Sequence, residues 1–194
     1  MKRISFVKSF IEIVLIFFTF SIFGWVWELL YDFLKNGVLA NHGVLLGPWL
    51  PIYGYGAILM YICLKRFKQS PTIVFMGSFV LCTCIEYCTA WYLETFLHNT
   101  WWDYSNMPFN IDGRICLLAS IFFGIGGLFA MYVVIPKIKK TMARFSLRRI
   151  TILCIVLCCL FTVDKIRSYK YPNIGKRYKV IDTTQIRGLK IFKK

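Results

Sequence analysis

The residues whose types could do chemistry fall at a regular step: Ser78, Cys82, Glu86, Ala90, Glu94 and His98 recur every fourth position. On a helix, neighbours in such a series stack along a slowly rotating stripe. Carboxyls and an imidazole in that arrangement could act as acids and bases or attract a cation. Acid–base catalysis would further require the groups to lie within hydrogen-bond reach of each other and of a substrate, and helical spacing supplies only neighbourhood. No catalytic residue is therefore assigned, and an enzyme is not expected. A shorter stripe, Gly24, Glu28 and Asp32, has the same spacing, whereas Glu12 is four residues from Lys8 and is explained by a local ion pair.

The elements that must carry these groups are apolar. The 194 residues are 58% hydrophobic and only 17% charged, whereas a soluble domain is roughly 45–50% apolar. Apolar runs cover Phe10 to Leu34, Leu50 to Leu64, Ile73 to Leu97, Ile115 to Ile135 and Ile150 to Val163. A span needs roughly 20 mainly apolar residues, so the expectation is an all-α, polytopic membrane bundle of four or five transmembrane helices over residues 1–164. A basic C-terminal tail follows at 165–194. The first run is too long for the apolar part of a cleavable signal and is read as a retained helix. The last run suits an interfacial or re-entrant segment as well as a span, although Arg149 and Lys165 could lengthen it by snorkelling.

A net charge of +15 raises the question of nucleic acid, but the cations sit almost wholly outside the apolar runs. Twelve of them precede the first run (Lys2, Arg3, Lys8), join the second to the third (Lys65, Arg66, Lys68), or join the fourth to the fifth (Lys137, Lys139, Lys140, Arg144, Arg148, Arg149). That bias marks a cytoplasmic side. Nucleic acid is not an expected partner. Ten more cations lie in the tail, which five spans would place outside, against the same rule. The eight cysteines all fall in or beside apolar runs without a zinc spacing, so neither a metal site nor a cofactor is expected.

With the amino terminus inside, nearly every residue unusual for a membrane protein collects at the outer ends of the helices. Thirteen residues past Ile73, Glu86 would sit roughly 20 Å into a core about 30 Å thick. A charge there costs about 2.5–3.5 kcal/mol even on a lenient scale, so Glu86 is expected to be protonated, paired or facing water. The outer half holds Glu28, Asp32, Glu86, Glu94, Asp103 and Asp112 against Lys35 and Arg114, an excess that could attract a cation or a protonated substrate. The competing reading is that Arg114 neutralises Glu94 or Glu28 as a buried tie between helices. In the run GPWLPIYGYG from Gly47, Pro48 and Pro51 remove amide donors. Either a broken helix exposes carbonyls there, or Pro51 simply starts a helix flanked by Trp49 and Tyr53 as interfacial aromatics. In the loop from Trp101 to Arg114, polar Asp103 and Asn110 are interspersed with Trp102 and Tyr104, which predicts a folded cap or a re-entrant lid rather than an aromatic belt alone. Asp112 could cap the next helix, in which Ser120, Gly124, Gly127 and Ala130 form a small-residue packing face. The candidate binding residues are Glu28, Trp49, Pro51, Tyr53, Glu86, Glu94, Trp102, Asp103, Tyr104, Asn110 and Arg114.

The segments GPWLPIYGYG, IEYCTAWYLETF and WWDYSNMPFNIDGRICLL resemble the bacterial CmpB family, named as putative type IV ABC-transporter permeases and related to transmembrane protein 229. The resemblance runs from about Phe23 to Pro136 and extends weakly to Asp164. Matching positions include Glu28, Gly47, Pro48, Pro51, Tyr53, Gly54, Glu86, Glu94, Trp102, Asp103, Tyr104, Asn110, Gly113, Arg114 and Cys116. It implies a multi-pass, transport-related protein of a bacterial plasma membrane, and it names no substrate. The chain has no G-x-x-x-x-G-K-[ST] phosphate loop, so ATP hydrolysis would come from a separate ATPase subunit. The expected partners are the lipid bilayer and that ATPase or another membrane protein. The alternative to transport is an assembly, sensing or regulatory membrane protein whose acidic and aromatic face binds a partner.

Overall fold

In the computed structural model, which describes residues 2–37, 41 and 43–173, the apolar runs are helices. These are α1 (Lys2–Asn36), α2 (Pro51–Leu64), α3 (Pro71–Leu97), α4 (Leu117–Phe129), α5 (Ile135–Arg144) and α6 (Leu147–Lys170). A 3₁₀ turn (Lys65–Phe67) follows α2, a π turn (Ala130–Val134) joins α4 to α5, and a two-stranded ladder, β1 (Asn110–Ile111) and β2 (Ile115–Cys116), precedes α4. The all-α expectation thus holds apart from this one hairpin. Among the described residues, three helical stretches are long and apolar enough to cross a membrane: Phe6–Leu34, Pro71–Leu97 and Leu117–Arg144. The expected count of four or five is not reached by length and composition, because α2 has 14 residues and α6 carries charges at both ends.

Several element bounds differ from the hydropathy runs, since backbone hydrogen bonding continues where apolarity ends. Helix α1 starts at Lys2 instead of residue 10. Helix α6 extends to Lys170, so the first residues of the expected tail are helical; 174–194 lie outside the described residues. The expected helix from 115 begins at Leu117, because Ile115 and Cys116 are in β2, and the Cys116 sulfur, not Asp112, accepts from the Ala119 amide at the N-cap. At the other end the helical path continues to Arg144 through the π turn, where the Ile135 amide reaches back to the Ala130 carbonyl. Pro136 follows immediately. A proline clashes with the carbonyl four residues before it, and the wider turn relieves that crowding.

The described residues pack as two compact units, one drawn from Met1–Gly54 and Ser146–Lys194, the other from Tyr55–Phe145. In the first, α1 lies along α6, with the rings of Phe17, Phe18, Trp49 and Phe161 in edge-on contact at centroid distances of 5.2–6.1 Å. Edge-to-face pairs add about 0.5–1.5 kcal/mol each beyond the area they bury. In the second, α3 packs on α4 through the small residues. Ser120, Gly124, Gly127 and Ala130 are all buried, and a Cβ on Gly127 would lie 2.0 Å from the Ser78 hydroxyl. Such a face lets two backbones approach closely where no hydrophobic force drives helices together.

Candidate functional site

The candidate residues fall into one cluster per unit. In the first unit, Gly24 makes room for an aromatic ring: a Cβ there would meet the Tyr53 ring at 2.3 Å. Tyr53 then donates its hydroxyl hydrogen bond to Glu28 Oε1 at 2.5 Å. The segment before α2 is irregular, and its backbone is held by a residue far along the chain. Asp164 accepts from the Leu46 amide at 3.1 Å, the Gly47 amide at 2.8 Å, the Trp49 indole N–H at 2.8 Å and the Ser168 hydroxyl at 3.2 Å. Asn41 accepts from the Trp25 indole and donates to the Leu45 and Leu46 carbonyls. The Asn173 amide donates to the Val44 carbonyl. Trp49 and Leu50 are buried, the Leu50 amide bonds to the Ser21 carbonyl, and α2 begins at Pro51. The helix-start reading of Pro51 is the one observed, with the irregular backbone confined to the residues before it.

In the second unit the loop from Trp101 to Arg114 is folded. Asp112 and Gly113 both have positive φ, at 54° and 67°, and the Arg114 amide closes the turn onto the Ile111 carbonyl at 3.0 Å. Two left-handed residues in that position make a type I′ hairpin turn, for which Asp-Gly is a preferred pair. β1 and β2 pair antiparallel across it, Asn110 opposite Cys116 and Ile111 opposite Ile115. The side chains named from the sequence build this loop. Trp102 donates its indole N–H to the Arg114 carbonyl, and Asn110 donates to the Ser105 and Met107 carbonyls and accepts from the Gly113 amide. Asp103 accepts from the Ser105 hydroxyl at 2.5 Å and amide at 2.8 Å, and these bonds, hydroxyl first, hold its carboxyl below the ordinary range.

Two ties run from this loop to α3. Arg114 donates from Nε and Nη2 to Glu94 Oε2, both at 2.8 Å, and from Nη1 to the Tyr87 hydroxyl at 3.0 Å and Asp112 Oδ2 at 3.1 Å. Tyr87 completes the ring by donating to Asp112 at 2.8 Å. The bond to Glu94, above all, raises the affinity of the guanidinium for its proton. The second tie is from the Tyr104 hydroxyl to Glu86 Oε1 at 3.0 Å. The other carboxyl oxygen of Glu86 is buried and has no hydrogen-bond partner among the described residues. His98 is the left-handed C-cap of α3, its amide on the Leu93 carbonyl.

A family model described as putative ABC-transporter type IV matches residues 15–169. The chain belongs to this CmpB family. It is a membrane protein by that membership and by its three apolar helices. No curated protein and no solved structure matches it. The CmpB match spans both clusters and reaches Asp164 and Ser168, which lie beyond the main segments of resemblance.

The structure brings together Glu28 with Tyr53, Glu86 with Tyr104, and Glu94 with Arg114. Trp49 turns to Asp164, while Trp102, Asp103 and Asn110 serve their own loop. Sequence reasoning missed Asp164, Asn41 and Tyr87 as partners. Asp164 and Asn41 had no local pattern to betray them. Tyr87 directly follows Glu86, outside the four-residue series. The hairpin did carry a signal, the Asp112-Gly113 pair.

Proposed function

We propose that this CmpB-family chain is a permease-like, non-enzymatic subunit of a transporter in a bacterial plasma membrane, and that Glu86 with Tyr104 receives a cation or a protonated substrate from the outer side. The carrying observation is the Glu86 carboxyl, inside an apolar helix, with one oxygen on Tyr104 and the other buried without a partner among the described residues. A carboxyl so placed is stabilised by taking a proton or a cation. The neighbouring acids do not compete for that role, because Glu94 and Asp112 are neutralised by Arg114 and Asp103 is satisfied by Ser105.

The proposal includes five crossings. Helix α6, 24 residues long, reaches about 36 Å at 1.5 Å per residue. Phe161 packs on Phe17; just past the end of α6, Asn173 meets Val44, and Asn41 of that same short segment meets Trp25, which lies further along α1 than Phe17. The two helices therefore run in the same direction, which supports α6 as an outward span like α1. ATP hydrolysis would come from a separate ATPase on the cytoplasmic side. The second reading, an assembly or regulatory protein, draws support from the density of internal bonds in the 101–116 loop, which are those of a rigid recognition surface.

Tagged purification from the native host in mild detergent, with mass spectrometry of co-purifying proteins, distinguishes the two. A stoichiometric ATPase, and loss of its transport activity with Glu86→Gln at unchanged folding, is the expected result. Recovery with a non-ATPase membrane partner, or full transport with Glu86→Gln, would overturn the proposed site.

A further inference from the structure

The two carboxyl oxygens of Glu86 are in different states. Oε1 accepts from the Tyr104 hydroxyl at 3.0 Å, while Oε2 is buried with no hydrogen-bond partner among the described residues. What can occupy Oε2 depends on the groups that face it. On α3 itself, Cys82 lies one turn earlier, close enough for its thiol to feel a charge on the carboxyl. From β2 comes Cys116, whose sulfur accepts from the Ala119 amide and whose carbonyl accepts from the Ser120 hydroxyl. Helix α4, which packs on α3, has no titratable side chain between Leu117 and Phe129, and its Ser120 hydroxyl also accepts from Thr83. Helix α2 meets α3 nearer its start, where Leu64 lies against Gly77. Further along α3, Glu94 is bonded to Arg114, as is Asp112.

These surroundings suit some ions and not others. Calcium takes about 6–8 oxygen ligands, magnesium an octahedral set and zinc about four N, O or S ligands. Among the described residues no three His, Cys, Asp or Glu side chains lie together where they could hold a metal ion. Sodium in a transporter is held by carbonyls of an unwound helix, but α3 is unbroken from Pro71 to Leu97, so its carbonyls stay in the helical ladder. An ammonium group carries three donors, and Oε2 would satisfy one. The other unpartnered buried hydroxyl of this unit, Ser78, lies two turns earlier, about 12 Å along the helix, too far to share an ion with Glu86. A proton needs one lone pair and brings no coordination shell. Placed on Oε2, it turns a charge inside an apolar helix into a neutral acid, whose carbonyl oxygen is the one that Tyr104 already holds.

We propose that the species received at Glu86 is a proton, and not a metal or ammonium cation. The proton comes from water on the outer side, an O–H bond forms at Oε2, the negative charge is cancelled, and Oε1 becomes the carbonyl oxygen bonded by Tyr104. This proton assignment rests on Glu86 being the receiving site of the proposed transporter and names what that site takes.

The test is infrared spectroscopy of the full chain in an ester-free detergent at pH 7, where exposed carboxylates, with ordinary values of about 4, are ionised. The natural chain should show the C=O stretch of a protonated carboxyl, and Glu86→Gln should lose it. Raising the pH should remove the band, whereas sodium, potassium, magnesium, calcium or ammonium salts at constant pH should leave it. Tyr104→Phe should keep the band and move it to higher frequency, because the carbonyl no longer accepts a hydrogen bond. The assignment is overturned if the natural chain and Glu86→Gln have the same carboxyl band, or if one of those cations abolishes it in the natural chain; in the second case Glu86 remains the receiving site and the cation is its ligand. If Glu86→Gln does not fold, an unmoved band in Tyr104→Phe overturns the assignment independently. Full transport by Glu86→Gln, with the band lost as expected, would instead overturn the receiving site and leave the proton on Glu86.

Discussion

Replacing Asp164 by alanine removes one carboxylate and strands three donors of the segment before α2, the Leu46 and Gly47 amides and the Trp49 indole. A hydrogen bond to a charged acceptor is worth about 1.5–3 kcal/mol net, and a donor left unsatisfied costs about 1–3 kcal/mol. The three share one acceptor and are partly accessible to water, so their costs do not add fully. The expected loss is about 3–4 kcal/mol, which at about 2–4 °C per kcal/mol for a chain of this size is a fall of roughly 6–16 °C in Tm. Asp164→Asn keeps one acceptor oxygen and should lose about half as much. Thermal unfolding of the natural chain and both variants in detergent at pH 7 measures the difference. A Tm for Asp164→Ala within about 1 °C of the natural chain at pH 7 would refute the reasoning, because no arrangement in which Asp164 holds this segment could leave it so.

Arg114→Ala should destabilise the chain by about 2–3 kcal/mol by leaving Glu94 without its two bonds, and Arg114→Lys, which cannot reproduce the planar fork, should recover less than half of that in the same unfolding assay. Gly127→Ala should cost about 1–3 kcal/mol by overpacking the α3–α4 contact, and Ser78→Gly should relieve it, since the hydroxyl and Cβ of Ser78 are the first atoms the new methyl meets. Gly113→Ala places a Cβ at φ +67° and 2.5 Å from the Ser105 hydroxyl; a cost of about 1–2 kcal/mol is expected, read as protease resistance of the loop.

What was legible in the sequence is what local pattern determines. Hydropathy located α1, α3 and α4 because each belongs to a helical stretch long and apolar enough to cross a membrane. The small-residue face of α4 was legible because only those positions admit a close neighbour, and Gly124 and Gly127 meet Phe75 and Ser78 as that argument requires. The Arg114–Glu94 tie was legible as one of two choices, since a single outer arginine stood among several acids, and the geometry chose Glu94. Bonds between distant positions were not legible: Asp164 reaches a segment more than a hundred residues earlier, and nothing in its neighbourhood distinguishes it from a solvated carboxylate. The hairpin at Asp112-Gly113 was legible in principle. Its aspartate is also a good helix cap, and the choice between the two uses depends on whether the next residues extend or coil, which Ile115 and Cys116 decide by pairing with β1.

Counting carboxyls overstates the acidity of the outer face, because the count treats all six as equivalent, and the bonds divide those of the Tyr55–Phe145 unit into three kinds. Glu94 and Asp112 share one guanidinium and form a structural tie. Asp103 lies outside the apolar helix and is consumed by its own turn. Glu86 differs from these in combining an apolar helix with an acceptor oxygen that has no hydrogen-bond partner among the described residues, and the Tyr104 that bonds its other oxygen comes from the loop that the tie holds in place. The tie and the hairpin are thus what a site at Glu86 needs: a rigid loop that fixes the phenol and leaves one oxygen for something not supplied by the unit. A purely structural glutamate gains nothing from that second oxygen, and replacing it by glutamine would then be tolerated. The proposed function therefore rests on an oxygen without a hydrogen-bond partner among the described residues, more than on the number of acids around it.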